Sequence, residues 1–454
     1  MTVGWKRGRI TVGIAAVLVL ALTVLATTFL QVDHYRPWVA AFLHEEIGKD
    51  VEIGRLSVAV FPLTIRLDQF GVKNAPPFPR GYVIQVARID ATVSTTALLH
   101  RRLVITSLVL EDPILHLTSD PDGPWNFERS PSMSRQHSIP LEVIPRAQIK
   151  RGEVIASNLL PSDAPGPIFF EAHQVTCDLN QVNVRGLIDR SVSSMDGQGT
   201  LNASVVRLGW VAARNLGSAV RLESRHVFFQ DVKADVYQGS ARGTLSFDLS
   251  GKSAHFETTG QVSGVDVAQL VAAFPHGGGR MTGRLEGDIT LSGEIAHSIR
   301  PLAEIRGTGH VTVRNGQVPS LKLNESLMKL LHFNDLGPAK KDASAFKLIR
   351  ADWNLQNQRL TSRVVDIDGY GVDVDGSGSV SVSGSNELSY RGRATITTEQ
   401  PFFTNLVARL SGATLHEGKL QFPFHLEGTI DEPVFTEGEA KPRGVEKSAK
   451  PPPR

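Results

Sequence analysis

Four carboxylates in the stretch IDGYGVDVDG, at Asp366, Asp368, Asp373 and Asp375, are the densest set of potential metal ligands in the chain. Calcium needs several oxygens converging on one point, usually from a loop with acidic residues in fixed register. Here Asp373 and Asp375 alternate with Val372 and Val374, which places them on the solvent face of a strand instead. Gly251, Lys252 and Ser253 end like a phosphate-binding loop, but Ser246 stands where that motif needs its first glycine. The glycines at 277–279 after His276 complete no dinucleotide fingerprint. The 14 histidines are dispersed with no HExxH pair, and no GxSxG nucleophile elbow occurs. Glu45 with Glu46, and Glu111 with Asp112, are neighbours in sequence, which does not make an acid and base converging across a cleft. Cys177 is the single cysteine, so an internal disulfide and a thiolate metal cluster are excluded, and it reads as a buried structural thiol. The expectation is a protein without catalytic residues, metal or cofactor.

The elements around these residues explain why. From Val51 to Leu117 short runs alternate: Val58 and Val60, then Leu63, Ile65 and Leu67, then Ile89, Ala91 and Val93, then Leu103 and Ile105. A period of two with β-branched residues predicts strands with one apolar face. Later a glycine repeatedly precedes alternating apolar residues, as in Gly199 with Leu201, Gly243 with Leu245, Gly309 with Val311, Gly378 with Val380, and Gly392 with Ala394. These read as turn glycines feeding half-buried antiparallel strands. IKRGEV (Ile149 to Val154) echoes VRNGQV (Val313 to Val318), which suggests two related halves. Helices are expected over Tyr35 to Gly48, Val265 to Phe274, Ser320 to Phe333 and Pro401 to Leu410. In the first, Trp38 has two readings, a membrane-interface ring or core packing against the first strands.

Ile10 to Leu30 is apolar and uncharged, roughly the 20 residues a spanning helix needs. Lys6, Arg7 and Arg9 precede it, so the segment is expected to anchor the chain with its N-terminus in the cytoplasm. A cleaved secretory signal is the alternative, and it exports the remainder equally. The net charge of +2, without a basic patch among aromatics, gives no sign of nucleic acid. The organisation expected is a stub at 1–9, the span at 10–30, a first region at 31–127, a polar linker at 128–138, a repetitive β region at 139–435 and a disordered tail at 436–454.

Behind the apolar segment come Ile47, Gly48 and Lys49, then VEIGRLSVAVFPLTIRLDQFGVKNAP, then SLVLEDPILHL, then DGPWNFE. In this order they resemble the N-terminal region of the AsmA family. The resemblance implies a bacterial inner-membrane protein with its bulk in the periplasm, kinship with bridge-like lipid-transfer proteins, and a role in outer-membrane biogenesis. The fold expected is mainly β with a few short helices: one transmembrane helix followed by an elongated, curled antiparallel sheet with an open groove. Such a groove would take phospholipid or another membrane lipid, lined by residues such as Val58, Val60, Ile65, Leu67, Ile89 and Val93. The runner-up is a non-enzymatic periplasmic scaffold or regulator of outer-membrane protein assembly with conventionally packed β domains, and other envelope proteins are possible partners under both readings.

Overall fold

The computed structural model describes residues 32–100, 102–120, 125–127, 143–160, 165–183, 195–250, 254–273, 281–295, 305–319, 344–382, 387–396, 414–416, 419–429 and 432–438. The expected span at 10–30, the linker at 128–138 and the helices at 320–333 and 401–410 lie outside them, as does most of the tail. Among the described residues no helix is long and apolar enough to cross a membrane. The chain is mainly β, with short helices. It divides into two compact units, residues 1–234, 243–256 and 294–301, and residues 235–242, 257–293 and 302–454.

In the first unit a 3-10 turn leads into α1 (Arg36–Ile47). Gly48 ends this helix in the left-handed conformation, φ 75°, and its N–H donates to His44 O. That is the usual glycine stop. Val39, Ala40, Leu43 and Ile47 pack on Ile53, Phe70, Val72 and Val86. Trp38 points away at 67% exposure and stacks on Phe42, so its core-packing reading is set aside.

The sheet follows in chain order: β1 (Val51–Ala59), β2 (Thr64–Lys73), β3 (Tyr82–Val93), β4 (Ile105–Ser119), β5 (Ile144–Leu159), β6 (Pro165–Val182), β7 (Met195–Leu208) and β8 (Val211–Ser224). A short helix, α2 (Thr95–Leu99), joins β3 to β4. Neighbours pair antiparallel except β4 and β5, which run parallel. The long connection between them, which hairpins do not need, permits that exception to the antiparallel expectation.

Three further strands follow, β9 (His226–Val236), β10 (Gly239–Asp248) and β11 (Ala254–Asp266). In the second unit β12 (Arg284–Ile295), β13 (Arg306–Gln317), β14 (Ala345–Gln356), β15 (Arg359–Gly369), β16 (Val372–Ser381) and β17 (Glu387–Ile396) again pair serially and antiparallel, and β19 (Lys419–Thr429), which also pairs with the short β18 (Thr414–His416), lies next to β17. Val372, Val374, Ala394, Ile396, Leu420, Phe422 and Phe424 form its largest buried cluster. The second predicted helix lies at Val267–Ala273 within the expected 265–274, and its Val267 is buried with Val313 and Phe346.

Gly283, at φ 135°, does stand just before its strand, but most of the repeated glycines are not turn residues. Gly199, Gly309, Gly378 and Gly392 lie inside strands, opposite Leu179, Trp353, Tyr390 and Phe424. A Cβ on Gly309 would stand 2.8 Å from the Trp353 ring, and one on Gly392 would stand 3.0 Å from Phe424. An aromatic side chain thus lies over the bare backbone of the facing strand, as at sharply coiled positions in sheets. The pattern was one of close approach rather than of chain reversal.

Candidate functional site

The pairing registers align two rows of apolar side chains on one face of the first unit. One row runs Leu56, Leu67, Ile89, Leu110, Ile149, Cys177 and Leu201, from β1 to β7. The next runs Val58, Ile65, Ala91, Leu108, Ala147, Leu179, Gly199 and Val220, from β1 to β8. Seven strand spacings of about 4.8 Å make this an apolar track about 34 Å long. Most of its side chains are only half-buried although strands flank them on both sides. Leu56 and Val220 are buried, and Leu67, Ile89 and Leu110 pack with the cluster under α1; the rest of the track stays partly exposed among the described residues. Among the described helices α1 packs at the β1 to β3 end of this face.

The opposite face is charged. Arg66 makes two hydrogen bonds to Asp90, at 2.7 and 3.0 Å, and Arg88 Nε donates to Asp68 at 2.9 Å. Arg146 and Gln148 both donate to Asp178, at 2.6 and 2.8 Å. The Arg146 hydrogen bond holds the Asp178 carboxyl below its ordinary range. A sheet with ions on one face and aliphatic side chains on the other has its polarity decided strand by strand.

A crease crosses this sheet. Gln69 in β2, Asp112 in β4, Arg151 in β5, Gln174 in β6 and Asn215 in β8 all have φ between 49 and 55°. The registers bring them into one transverse line: Gln69 and Asp112 flank Ala87, Asp112 stands beside Arg151, and Asn215 faces Ser204. A left-handed residue cannot continue an extended strand, so each strand turns there. The side-chain alternation also skips a position. Leu67 and Phe70, three residues apart, therefore pack in the same cluster, as do Ile89 and Val86. The apolar face stays continuous across the line.

Arg151 and Asp112 are joined there by two hydrogen bonds, at 2.7 and 2.9 Å, which hold the Asp112 carboxyl below its usual value. The IKRGEV and VRNGQV echo is this same device: Arg151 and Asn315, φ 54° and 50°, each precede a glycine. The shared six residues thus encode a local backbone turn.

The last of the ordered motifs, DGPWNFE, is held mechanically. Asn126, fully buried, accepts from Thr118 N–H at 2.9 Å and donates to His116 O at 2.7 Å and to Asn74 Oδ1 at 3.0 Å. It ties the DGPWNFE segment to β4 and to the turn after β2.

Of the predicted groove residues, Leu67 and Ile89 lie in the first row, and Val58 and Ile65 in the second. Val60 falls in the turn after β1. Val93 ends β3 opposite Ile105 and is only 4% exposed. Leu108, Leu110, Ile149, Cys177, Leu179 and Leu201 were missed; Leu108, Leu110 and Ile149 stand just before the left-handed Asp112 and Arg151, and Cys177 and Leu179 between the left-handed Gln174 and Gln181, where strict alternation changes phase. Cys177 sits half-buried in the row, its thiol pushed up to about 11 by burial and then by Asp178, so it is neutral at physiological pH.

Asp366 pairs directly with Asp375, and Asp368 with Asp373, across β15 and β16. Asp373 and Asp375 are exposed while Val372 and Val374 between them are buried. Arg350 stands opposite Asp366, Arg393 opposite Asp375, and Lys347 binds Asp368 at 3.2 Å. Cations interleave these carboxylates, and among the described residues no group of three or more His, Cys, Asp or Glu is placed to hold a metal ion.

No curated protein matches the chain. A model of the AsmA family matches residues 5–153, which takes in α1, the first four strands and the start of β5 with its crease residue Arg151. Over this N-terminal third the chain is similar to the AsmA family.

Proposed function

We propose that this chain is an inner-membrane-anchored periplasmic protein that carries phospholipid, or another acylated lipid, in outer-membrane biogenesis. The observation that carries the reading is the continuous, half-buried apolar track of the first unit, backed by an ion-paired face. Apolar surface of this extent is costly in water unless something covers it. An acyl chain laid along the rows leaves water at about 0.8 kcal/mol per CH2 group, so a lipid could move along the face without re-entering solvent. No bond is made or broken. Leu108, Leu110, Ile149, Leu179 and Leu201 supply the path, and the half-buried side chains need no rearrangement to accept it. The family similarity favours the same reading, since the AsmA family is associated with envelope and lipid biology.

The test is native mass spectrometry of the full chain released from detergent. Bound phospholipid that resists exchange with lipid-free detergent supports the proposal. A chain that releases no lipid under those conditions favours the scaffold reading, in which the face is covered by protein.

A further inference from the structure

The turn between β1 and β2 and the α2 segment between β3 and β4 lie at the same end of the sheet. Val93 N–H donates to Leu63 O at 2.8 Å, and Ser94 N–H donates to Val104 O at 2.9 Å. This shared tip carries Phe61 at 86% exposure, Leu99 at 83%, Leu103 at 58% and Leu98 at 48%. Four large apolar side chains this exposed, on two adjoining loops, are more than a folded surface needs. The sequence between them, His100-Arg101-Arg102, is basic, and Arg102 is exposed. The described chain begins beside the middle of β1, where Leu56 N–H donates to Asp33 Oδ1 at 2.9 Å, about five residues, roughly 17 Å, along the strand and its turn from Phe61.

We propose that this tip inserts into the outer leaflet of the membrane at which the chain enters, with Phe61, Leu98, Leu99 and Leu103 among the acyl chains and Arg102 at the anionic headgroups. Exposed leucines and a phenylalanine beside basic residues are the composition of an interfacial anchor. The second apolar row reaches the same tip, since Val58 and Ile65 flank the β1–β2 turn and Ala91 and Leu108 flank the α2 segment. The tip thus joins the lipid track to the bilayer; that part of the inference rests on the proposed lipid role.

The experiment places an environment-sensitive fluorophore on Leu99→Cys in a Cys177→Ala full-length chain, reconstituted in vesicles of phosphatidylethanolamine and phosphatidylglycerol. A control label goes on Arg80→Cys, in the turn after β2 at the other end of the same strands. The expected result is a blue-shifted Leu99 label quenched at least twofold by spin-labelled acyl chains, with the Arg80 label unquenched. A Leu99 label in water, or one blue-shifted but unquenched because protein covers it, overturns the inference. Lipid retention is measured on the same preparation. Quenching without retained lipid would leave the docking in place and remove the lipid role; retained lipid without quenching would do the reverse. A Phe61→Ser, Leu99→Ser, Leu103→Ser variant, changed only at exposed positions, is expected to keep its unfolding temperature and lose the membrane contact of a label placed at Leu98→Cys.

Discussion

Ile149→Asp separates an uncovered apolar face from a covered core. Ile149 lies in the middle of the first row, between Leu110 and Cys177, and is half-buried. At this partly exposed position a carboxylate stays partly hydrated, so the lipid-free protein loses only the contacts of a half-buried isoleucine, about 1–2 kcal/mol. For a unit of this size that is a fall of about 2–8 °C in the unfolding temperature. An acyl chain over the same carboxylate removes its water, and the effective cost of desolvating an unpaired ion is several kcal/mol. Taking about 3 kcal/mol, lipid occupancy falls on the order of a hundredfold. The assay is paired, with unfolding followed by circular dichroism and retained phospholipid followed by mass spectrometry. Gln198→Asp, exposed on the other face opposite Arg221, is the control and is expected to change neither quantity. Unfolding of Ile149→Asp under native conditions would show that protein covers the face. Unchanged lipid retention with unchanged stability would show that lipid binds elsewhere.

Other consequences follow from particular contacts. Asn126→Ala removes three hydrogen bonds and leaves Thr118 N–H and His116 O without their side-chain partner in a buried site, so a loss of about 3 kcal/mol is expected in denaturant unfolding. Val93→Asp, at 4% exposure, should destabilise far more than Ile65→Asp, which is half-buried in the second row; equal melting temperatures would contradict the difference in their surroundings. Gly309→Val places carbon against Trp353 and the backbone of β12, and should cost about 1–3 kcal/mol or more, measured by thermal unfolding. Burial raises the Cys177 thiol to about 11, so its alkylation should be slow at pH 8, climb towards pH 11 and accelerate in denaturant, where the group returns to about 8.5.

Much of the β architecture was legible because alternation is a direct imprint of a half-covered strand. Val58, Ile65, Leu67 and Ile89 fall on one face as their spacing requires. The track beyond them was hidden by the left-handed residues. In LVLEDPILHL the apolar positions run 108, 110, then 113, 115 and 117, and a reader holding strict period two loses the face at Asp112. Arg151 and Gly152 do the same in β5, and Asn315 and Gly316 repeat that backbone turn in β13. The strand glycines misled for a related reason, since glycine serves close approach as well as reversal, and only the register brings Trp353 over Gly309 and Phe424 over Gly392. The exposed tip was invisible because Leu98, Leu99 and Leu103 look like ordinary apolar residues until both loops reach the same end of the sheet.

The most direct measurement is a photo-crosslinking scan in living cells, with a photoreactive residue placed in turn at Leu108, Leu179 and Leu201 on the apolar rows and at Gln148, Asp178 and Thr200 on the opposite face. Phospholipid adducts at the first three positions and none at the second three are the predicted result. Adducts on both faces alike, or none on the apolar rows, would contradict lipid carriage along this face.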